Sequence, residues 1–144
     1  MNTFIRKANS ADANDLLILN EKFNGKQDIS KEMIERSLET NTSEEVFVAV
    51  NNERVIGFCC IRIYSSFCYS VSYAEITEIY VDDEFQHSGI GTKLIEYAQN
   101  YLRTKNVVNI QLFTCGENYS AQAFYEKHGY KKTNEIMYRK KDQH

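Results

Sequence analysis

Gly89 and Gly91 stand at the start of a segment whose apolar residues recur at helical spacing, from Ile90 to Leu102. The first amides of a helix have no backbone partner, and the helix dipole adds partial positive charge at that end. Such a terminus binds phosphate without a basic side chain, so we expect a diphosphate site here. The backbone amides that would form it belong to Gln86, His87, Ser88, Gly89, Ile90, Gly91 and Thr92.

Two common nucleotide-binding motifs do not fit these residues. A dinucleotide fingerprint that begins at Gly89 needs a third glycine where Leu94 stands. A P-loop needs lysine before serine or threonine, whereas the order here is Gly91-Thr92-Lys93. The pattern that remains is Gln86-x-x-Gly89-x-Gly91.

A second source of chemistry is a pair of glutamates in the strand predicted over 73–81. A charged carboxylate is costly to bury in an apolar strand, so Glu75 and Glu78 are candidate general bases. Each could instead face solvent or pair with Arg54, Arg62 or another cation. Strict alternation places the two side chains on opposite faces of the sheet, and only a β-bulge would bring both to one face.

A third segment predicts a short capped helix. Asn118 suits the N-cap, and the residues after it that share one helical face include Ala121 and Tyr125. Gly129 then stands where helices commonly end.

The elements that must position these residues follow from hydrophobic periodicity and turn signals. We predict two N-terminal helices, capped by Ser10 and Ser30, and a hairpin turn at Asn51-Asn52. The segment 107–113 is predicted to be a buried strand. The other predicted strands cover 3–7, 45–50, 54–64, 73–81, 130–133 and 136–139.

Two motifs in this order resemble the GNAT superfamily of acyl-CoA-dependent N-acyltransferases. They are Gln86-x-x-Gly89-x-Gly91 and the segment from Asn118 to Tyr130, and the resemblance is strongest over 73–130. It implies an α/β (α+β) fold in which about four helices flank a mixed, mostly antiparallel sheet that splays at the cofactor cleft. It also implies that acetyl-CoA is the co-substrate and that the helices of 10–40 wall the acceptor site.

The resemblance further implies roles for individual residues. Tyr125 would protonate the departing thiolate, since phenols with an ordinary pKa of about 10 keep their proton at pH 7. A strand carboxylate, Glu75 or Glu78, would serve as the base, and we favour Glu75. The strand edge of Ile79, Tyr80 and Val81 would pair with the pantetheine amides, and both Asn118 and Tyr125 would contact the cofactor.

Two departures from the family pattern bear on ligands. Many relatives have arginine or lysine where His87 and Ser88 stand, so attraction of phosphate would be weaker here. The segment Gln111–Thr114 lacks the carboxylate found in enzymes that acetylate ribosomal-protein N-termini, which disfavours that subtype. A polyamine or aminoglycoside acceptor is weakly favoured by acidic residues, namely Glu44, Glu45, Glu75, Glu78, Asp82, Asp83 and Glu84.

Composition bounds the remaining possibilities. The 144 residues suit a single domain over 1–144, and a net charge of −3 argues against a nucleic-acid partner. No apolar run is long enough to span a membrane, so neither a membrane partner nor a membrane location is expected, and a cytoplasmic location fits best. The four cysteines lack zinc-site spacing, so no metal is expected, although Cys115 could act as a nucleophile in a ping-pong scheme. The sequence leaves open whether the chain forms a homodimer.

Two hypotheses from different classes remain at this point. The first is direct attack of an amine on acetyl-CoA in a ternary complex, with a small-molecule amine or a protein amine as acceptor. The second is a noncatalytic module that senses acyl-CoA. The presence of Tyr125 and of both strand glutamates favours the first.

Overall fold

The computed structural model describes residues 2–143 and divides into two compact units, 1–112 and 113–144. The strands of the first unit are β1 (Thr3–Lys7), β2 (Glu45–Asn51), β3 (Arg54–Tyr64), β4 (Tyr73–Val81) and β5 (Asn109–Leu112). Its helices are α1 (Ala13–Asn24), α2 (Lys31–Thr40) and α3 (Ile90–Thr104). Short 3₁₀ turns cover Ser10–Asp12 and Asp83–Phe85. The second unit carries α4 (Tyr119–Lys127).

The five strands form one sheet in the order β1-β2-β3-β4-β5. The first three pairings are antiparallel, and only β4 and β5 run parallel. With the four helices, this confirms the expected mixed, mostly antiparallel α/β fold.

The sheet of the first unit is covered on both faces, which explains why β2 and β3 are apolar at almost every position. On one face Val48, Phe58 and Cys60 join α1 and α2 in a hydrophobic cluster. On the other face Phe47 packs edge-on against two tyrosines of α3, with ring centroids about 5 Å apart. The core therefore has two layers. One lies between the sheet and the pair α1 and α2, and the other lies between the sheet and α3.

Local capping explains where the first helices begin and end. The Ser30 hydroxyl accepts a hydrogen bond from the Met33 amide, as predicted for α2. Gly25 ends α1 with a φ of 76°, a conformation that favours glycine. The expectation that Ser10 caps α1 is wrong, because Asn9 and Asp12 instead form a capping box around the preceding 3₁₀ turn.

The predicted hairpin between β2 and β3 is present, with its turn shifted by one residue. Asn51 pairs with Arg54, so the turn residues are Asn52 and Glu53. Both have positive φ, at 50° and 65°, which matches the twist of a two-residue hairpin turn.

Of three strand predictions near the C-terminal end, one is confirmed in part and two are wrong. The predicted buried strand is reduced to β5, whose neighbours Val108 and Phe113 are 77% and 57% exposed. Among the described residues β5 pairs only with β4, so it is an edge strand rather than a central one. Segments 130–133 and 136–139 form no strand, because a short apolar alternation becomes a strand only where a second strand pairs with its backbone.

Candidate active site

The two edges of β4 are paired to different extents. The antiparallel ladder with β3 runs the whole length of β4, whereas the parallel ladder with β5 ends at Ile76. We call 73–76 the closed half of β4 and 77–81 the open half. In the part of the chain that the structure describes, no strand pairs with the second edge of the open half, which contains Ile79, Tyr80 and Val81. This sheet therefore splays at Ile76, and an extended ligand could pair with the free edge.

A β-bulge separates the two halves. Glu78 lies opposite Cys60 while Ile76 lies opposite Ile61, so Thr77 is one extra residue on β4. The Thr77 hydroxyl donates to the Cys60 carbonyl at 3.2 Å. Because the extra residue resets the side-chain alternation, Glu75 and Glu78 point to the same face, the one that packs against α1 and α2.

Glu75, in the closed half, is engaged by a cation. Arg62 lies directly opposite on β3, and its Nε and Nη2 atoms are 3.1 Å and 2.7 Å from Oε1 of Glu75. The Glu75 side chain is only 14% exposed in this ion pair. If Glu75 were the base, the substrate proton would compete with the Arg62 guanidinium for this oxygen atom.

Glu78, in the open half, has a different environment. Burial raises the pKa of Glu78, and the nearby Glu44 carboxylate raises it further. Burial also raises the pKa of Glu44, and a hydrogen bond from the Cys60 thiol partly offsets that rise. Within residues 2–143, neither Glu44 nor Glu78 takes part in a salt bridge. A carboxylate of raised pKa without a cation is suited to accept a proton near neutral pH.

Glu78 lines a cavity of about 290 Å³ inside the first unit. The cavity lies between α1, α2 and the face of the sheet that carries both glutamates. Its lining is mostly apolar and consists of Leu16, Asn20, Ile29, Ile34, Ser37, Leu38, Glu44, Val46, Phe58, Cys60 and Glu78. An apolar concave site with a few convergent polar groups and perturbed pKa values is the usual form of a small-molecule site.

The loop after β4 is held by side chains rather than by sheet pairing. Buried Asp82 accepts hydrogen bonds from Lys22 of α1, with both N–O distances at 3.2 Å. The Gln86 side-chain amide donates to the Val81 carbonyl at 2.9 Å and to Asp83 at 3.1 Å. The Gln86 side chain therefore shapes the loop that leads to α3.

The start of α3 offers unpaired backbone donors. Gly89 is the N-cap with a φ of 84°, and no side chain caps the helix. The Gly89 carbonyl accepts from the Lys93 amide, so the amides of Ile90, Gly91 and Thr92 precede the first helical hydrogen bond. His87 also has a positive φ, and the Ser88 hydroxyl donates to the Phe85 carbonyl. A Cβ added at Gly89 would meet no atom within 4 Å, which leaves room for a ligand phosphate. These donors fit the diphosphate of CoA.

The second unit carries the other two sequence-predicted residues. The Asn118 side chain accepts from the Ala121 amide at 3.1 Å, so Asn118 is the N-cap of α4 as predicted. Tyr125 lies on α4 and is half-buried, with its ring edge-on to Phe124 and Tyr130. Cys115 is exposed and not part of a disulfide.

Sequence reasoning missed two residues beside Glu78. In the sequence, Glu44 is only one of several acidic residues and Cys60 only one of four cysteines. A carboxylate directly before an apolar strand was the one signal available for Glu44, but its proximity to Glu78 depends on the pairing of β2, β3 and β4.

Comparison with known proteins agrees with this architecture. The Acetyltransferase (GNAT) family model matches residues 13–130. An uncharacterised N-acetyltransferase of Chlorobaculum tepidum is 31% identical over 129 residues, which cover 90% of this chain and 76% of that protein.

Two solved structures share the fold. AAC(6')-Iy in complex with the bisubstrate analogue CoA-S-monomethyl-acetylneamine has a TM-score of 0.85 and 20% identity, covering 99% of this chain and 100% of that one. An aminoglycoside acetyltransferase, meta-AAC0020 from an uncultured soil metagenomic sample, in complex with sisomicin, has a TM-score of 0.84 and 18% identity, covering 99% and 97%. Among residues 2–143, no helix is both long and apolar enough to cross a membrane. With its family match, its splayed sheet and the glycine-started α3, this chain belongs to the acetyltransferase (GNAT) family and is an N-acetyltransferase.

Proposed function

We propose that the protein transfers the acetyl group of acetyl-CoA to a primary amine by direct attack in a ternary complex, with Glu78 as the general base. One observation carries this proposal. Glu78 is the strand carboxylate that lines the cavity and has no salt bridge among the described residues, whereas Glu75 is bound to Arg62. The sequence favours Glu75, but its ion pair with Arg62 is the reason that we propose Glu78 instead.

The co-substrate would be held mainly by backbone groups. Amides at 86–92 would hold the diphosphate, and the free edge of Ile79, Tyr80 and Val81 would pair with the pantetheine arm. The solved structure of AAC(6')-Iy, whose analogue contains CoA, supports a CoA ligand for this fold. Acetyl-CoA, when bound, supplies an activated acetyl group whose thioester carbonyl is the electrophile.

The chain's own task is to make the amine nucleophilic. An alkylammonium with a pKa of about 10.4 is neutral in only on the order of one molecule in a thousand near pH 7. Glu78 would take the proton, directly or through a water molecule, and its raised pKa improves it as a proton acceptor at neutral pH. For Tyr125 we keep the role that the family resemblance implies, proton donor to the departing thiolate. Asn118 keeps its implied contact with the cofactor.

The first experiment measures CoA binding by calorimetry and thiol release with acetyl-CoA and a panel of amines. The panel covers alkylamines, polyamines, aminoglycosides, amino acids and short peptides, so that small-molecule and protein acceptors are compared. Initial rates at varied concentrations of both substrates should give intersecting lines, because no acetyl-enzyme forms. Parallel lines would instead indicate a ping-pong scheme, for which Cys115 is the nucleophile to test. Binding of CoA with no thiol release from any amine would favour the sensor hypothesis.

The second experiment tests Tyr125. We expect Tyr125→Phe to lower kcat by about 10- to 100-fold. This loss is smaller than the largest losses typical of removing a general acid, because a water molecule can partly replace the phenol as proton donor. Its Kd for CoA should stay within about twofold of the wild-type value. Tyr119→Phe on the same helix, at an exposed position, is the matched control. Full activity of Tyr125→Phe with the best amine would remove Tyr125 from the mechanism.

Two further expectations from the sequence are proposals as well: a single domain over 1–144, which limited proteolysis would test, and a cytoplasmic location, which fractionation of cells would test. Analytical ultracentrifugation would show whether the chain forms a homodimer.

A further inference from the structure

The cavity beside Glu78 is small and mostly apolar. Its walls are formed by α1, α2 and the sheet, and most of its lining side chains are aliphatic or aromatic. Its volume of about 290 Å³ lies near the lower end of the usual range for ligand sites, about 300–1,000 Å³. A small organic molecule would fill it.

The charged groups that line the cavity are two carboxylates. Glu44 precedes β2 and Glu78 lies on β4, and the nearby charge of Glu44 raises the pKa of Glu78. Within the described residues no lysine or arginine lines the cavity, and no salt bridge includes either carboxylate. Two unneutralised carboxylates in an apolar cavity are complementary to one small cation.

A large polycation does not match this cavity. An aminoglycoside carries several ammonium and hydroxyl groups, which would be buried against the apolar side chains without partners at a cost in free energy. The likeness to aminoglycoside acetyltransferases is below 25% identity and concerns the fold. An apolar chain or ring, by contrast, would gain the hydrophobic contribution of the walls.

We propose that the acceptor is a compact primary monoamine with an apolar body, and that Glu44 is a specificity-determining residue that binds its ammonium group beside Glu78. This inference rests on the proposed function, since it assigns the substrate class of the same site. The apolar body fills the space between α1, α2 and Phe58, and the ammonium lies between the two carboxylates. Glu78 then removes the proton while Glu44 keeps the nitrogen in place.

A series of unbranched alkylamines tests the apolar body without changing the protein. We expect kcat/KM to rise about fourfold for each added methylene, the ratio that corresponds to about 0.8 kcal/mol, and to fall once the chain is too long for the cavity. Spermidine, of similar length but with three charges, should be acetylated at least tenfold less efficiently than the best alkylamine. A higher kcat/KM for spermidine or an aminoglycoside would overturn the proposal while leaving N-acetyl transfer intact.

Glu44→Gln tests the carboxylate. We expect KM for the best alkylamine to rise 10- to 100-fold while kcat changes by less than about fivefold. Glu39→Gln, at an exposed position of α2, removes the same charge outside the cavity and should leave both constants unchanged. Equal KM values for the two variants would show that Glu44 does not bind the ammonium. If no amine at all is acetylated although CoA binds, the proposed function itself fails, and that result differs from each outcome above.

Discussion

The two halves of β4 are parts of one strand with opposite properties. In the closed half both backbone edges are paired and Glu75 is held by Arg62. In the open half one edge is free among the described residues, and Glu78 faces a cavity with a second carboxylate instead of a cation. One half of a strand can therefore be a paired, structural segment while the other half carries a reactive group. Two features separate the halves here, namely the extra residue Thr77 and the end of the β5 pairing at Ile76.

The largest expected effect separates the two glutamates. We expect Glu78→Gln to lower kcat/KM by about 10²- to 10³-fold, within the range for loss of a general base. Glu75→Gln should keep activity within about fivefold and lose at most about 1 kcal/mol of stability, because Arg62 is half-exposed. Thiol-release kinetics and thermal unfolding of both variants measure these effects. The reverse order of activities would make Glu75 the base.

Hydrogen exchange tests the difference between the backbone edges. We expect addition of CoA at about 100 times its Kd to slow amide exchange in 77–81 by up to about 100-fold. Amides of 73–76 should change little, since both of their edges are already paired. Exchange measured by mass spectrometry on overlapping peptides resolves the two halves. Uniform protection of all of β4 would show that CoA acts through general stabilisation and not through the free edge.

A glycine substitution tests how closely the paired edge is packed. A Cβ at Gly57 would lie 2.9 Å from the Tyr80 carbonyl oxygen and 3.4 Å from Leu94. We expect Gly57→Ala to lose about 1–3 kcal/mol of stability in urea unfolding, the usual cost of overpacking. Gly116→Ala, where the new Cβ meets no atom within 4 Å, should change stability by less than about 0.5 kcal/mol. Equal stability of the two variants would mean that the backbone of β3 can shift to make room for the added methyl group at Gly57.

The smallest expected effect concerns pH. Glu78 must be deprotonated to act as a base, so kcat should fall as the pH drops through its raised pKa. Because the Glu44 charge contributes to that raised pKa, Glu44→Gln should move the acid limb of the kcat profile to lower pH. Profiles recorded with Glu39→Gln as control check this shift. A shift to higher pH would contradict the assignment of Glu78 as the titrating group.

Much of the fold could be predicted because its signals are local. The Ser30 cap, the Asn118 cap and the periodicity of α3 each depend on residues within a few positions. The strands at 130–133 and 136–139 were predicted from equally local patterns and do not form. Strand formation depends on a distant partner backbone, so a local apolar pattern cannot decide it.

The residue pattern alone predicts the glycine-started helix α3 and the strand that carries two glutamates, and two motifs in it carry the resemblance to the GNAT superfamily. It also reduced the choice of base to Glu75 or Glu78, and it named a β-bulge as the condition for both to share a face. Tertiary structure decided that the bulge is present, that Arg62 binds Glu75, and that Glu44 approaches Glu78 across 34 positions of sequence. Side-chain types are local information, whereas the charge environment of a carboxylate depends on which distant residues the sheet register places next to it.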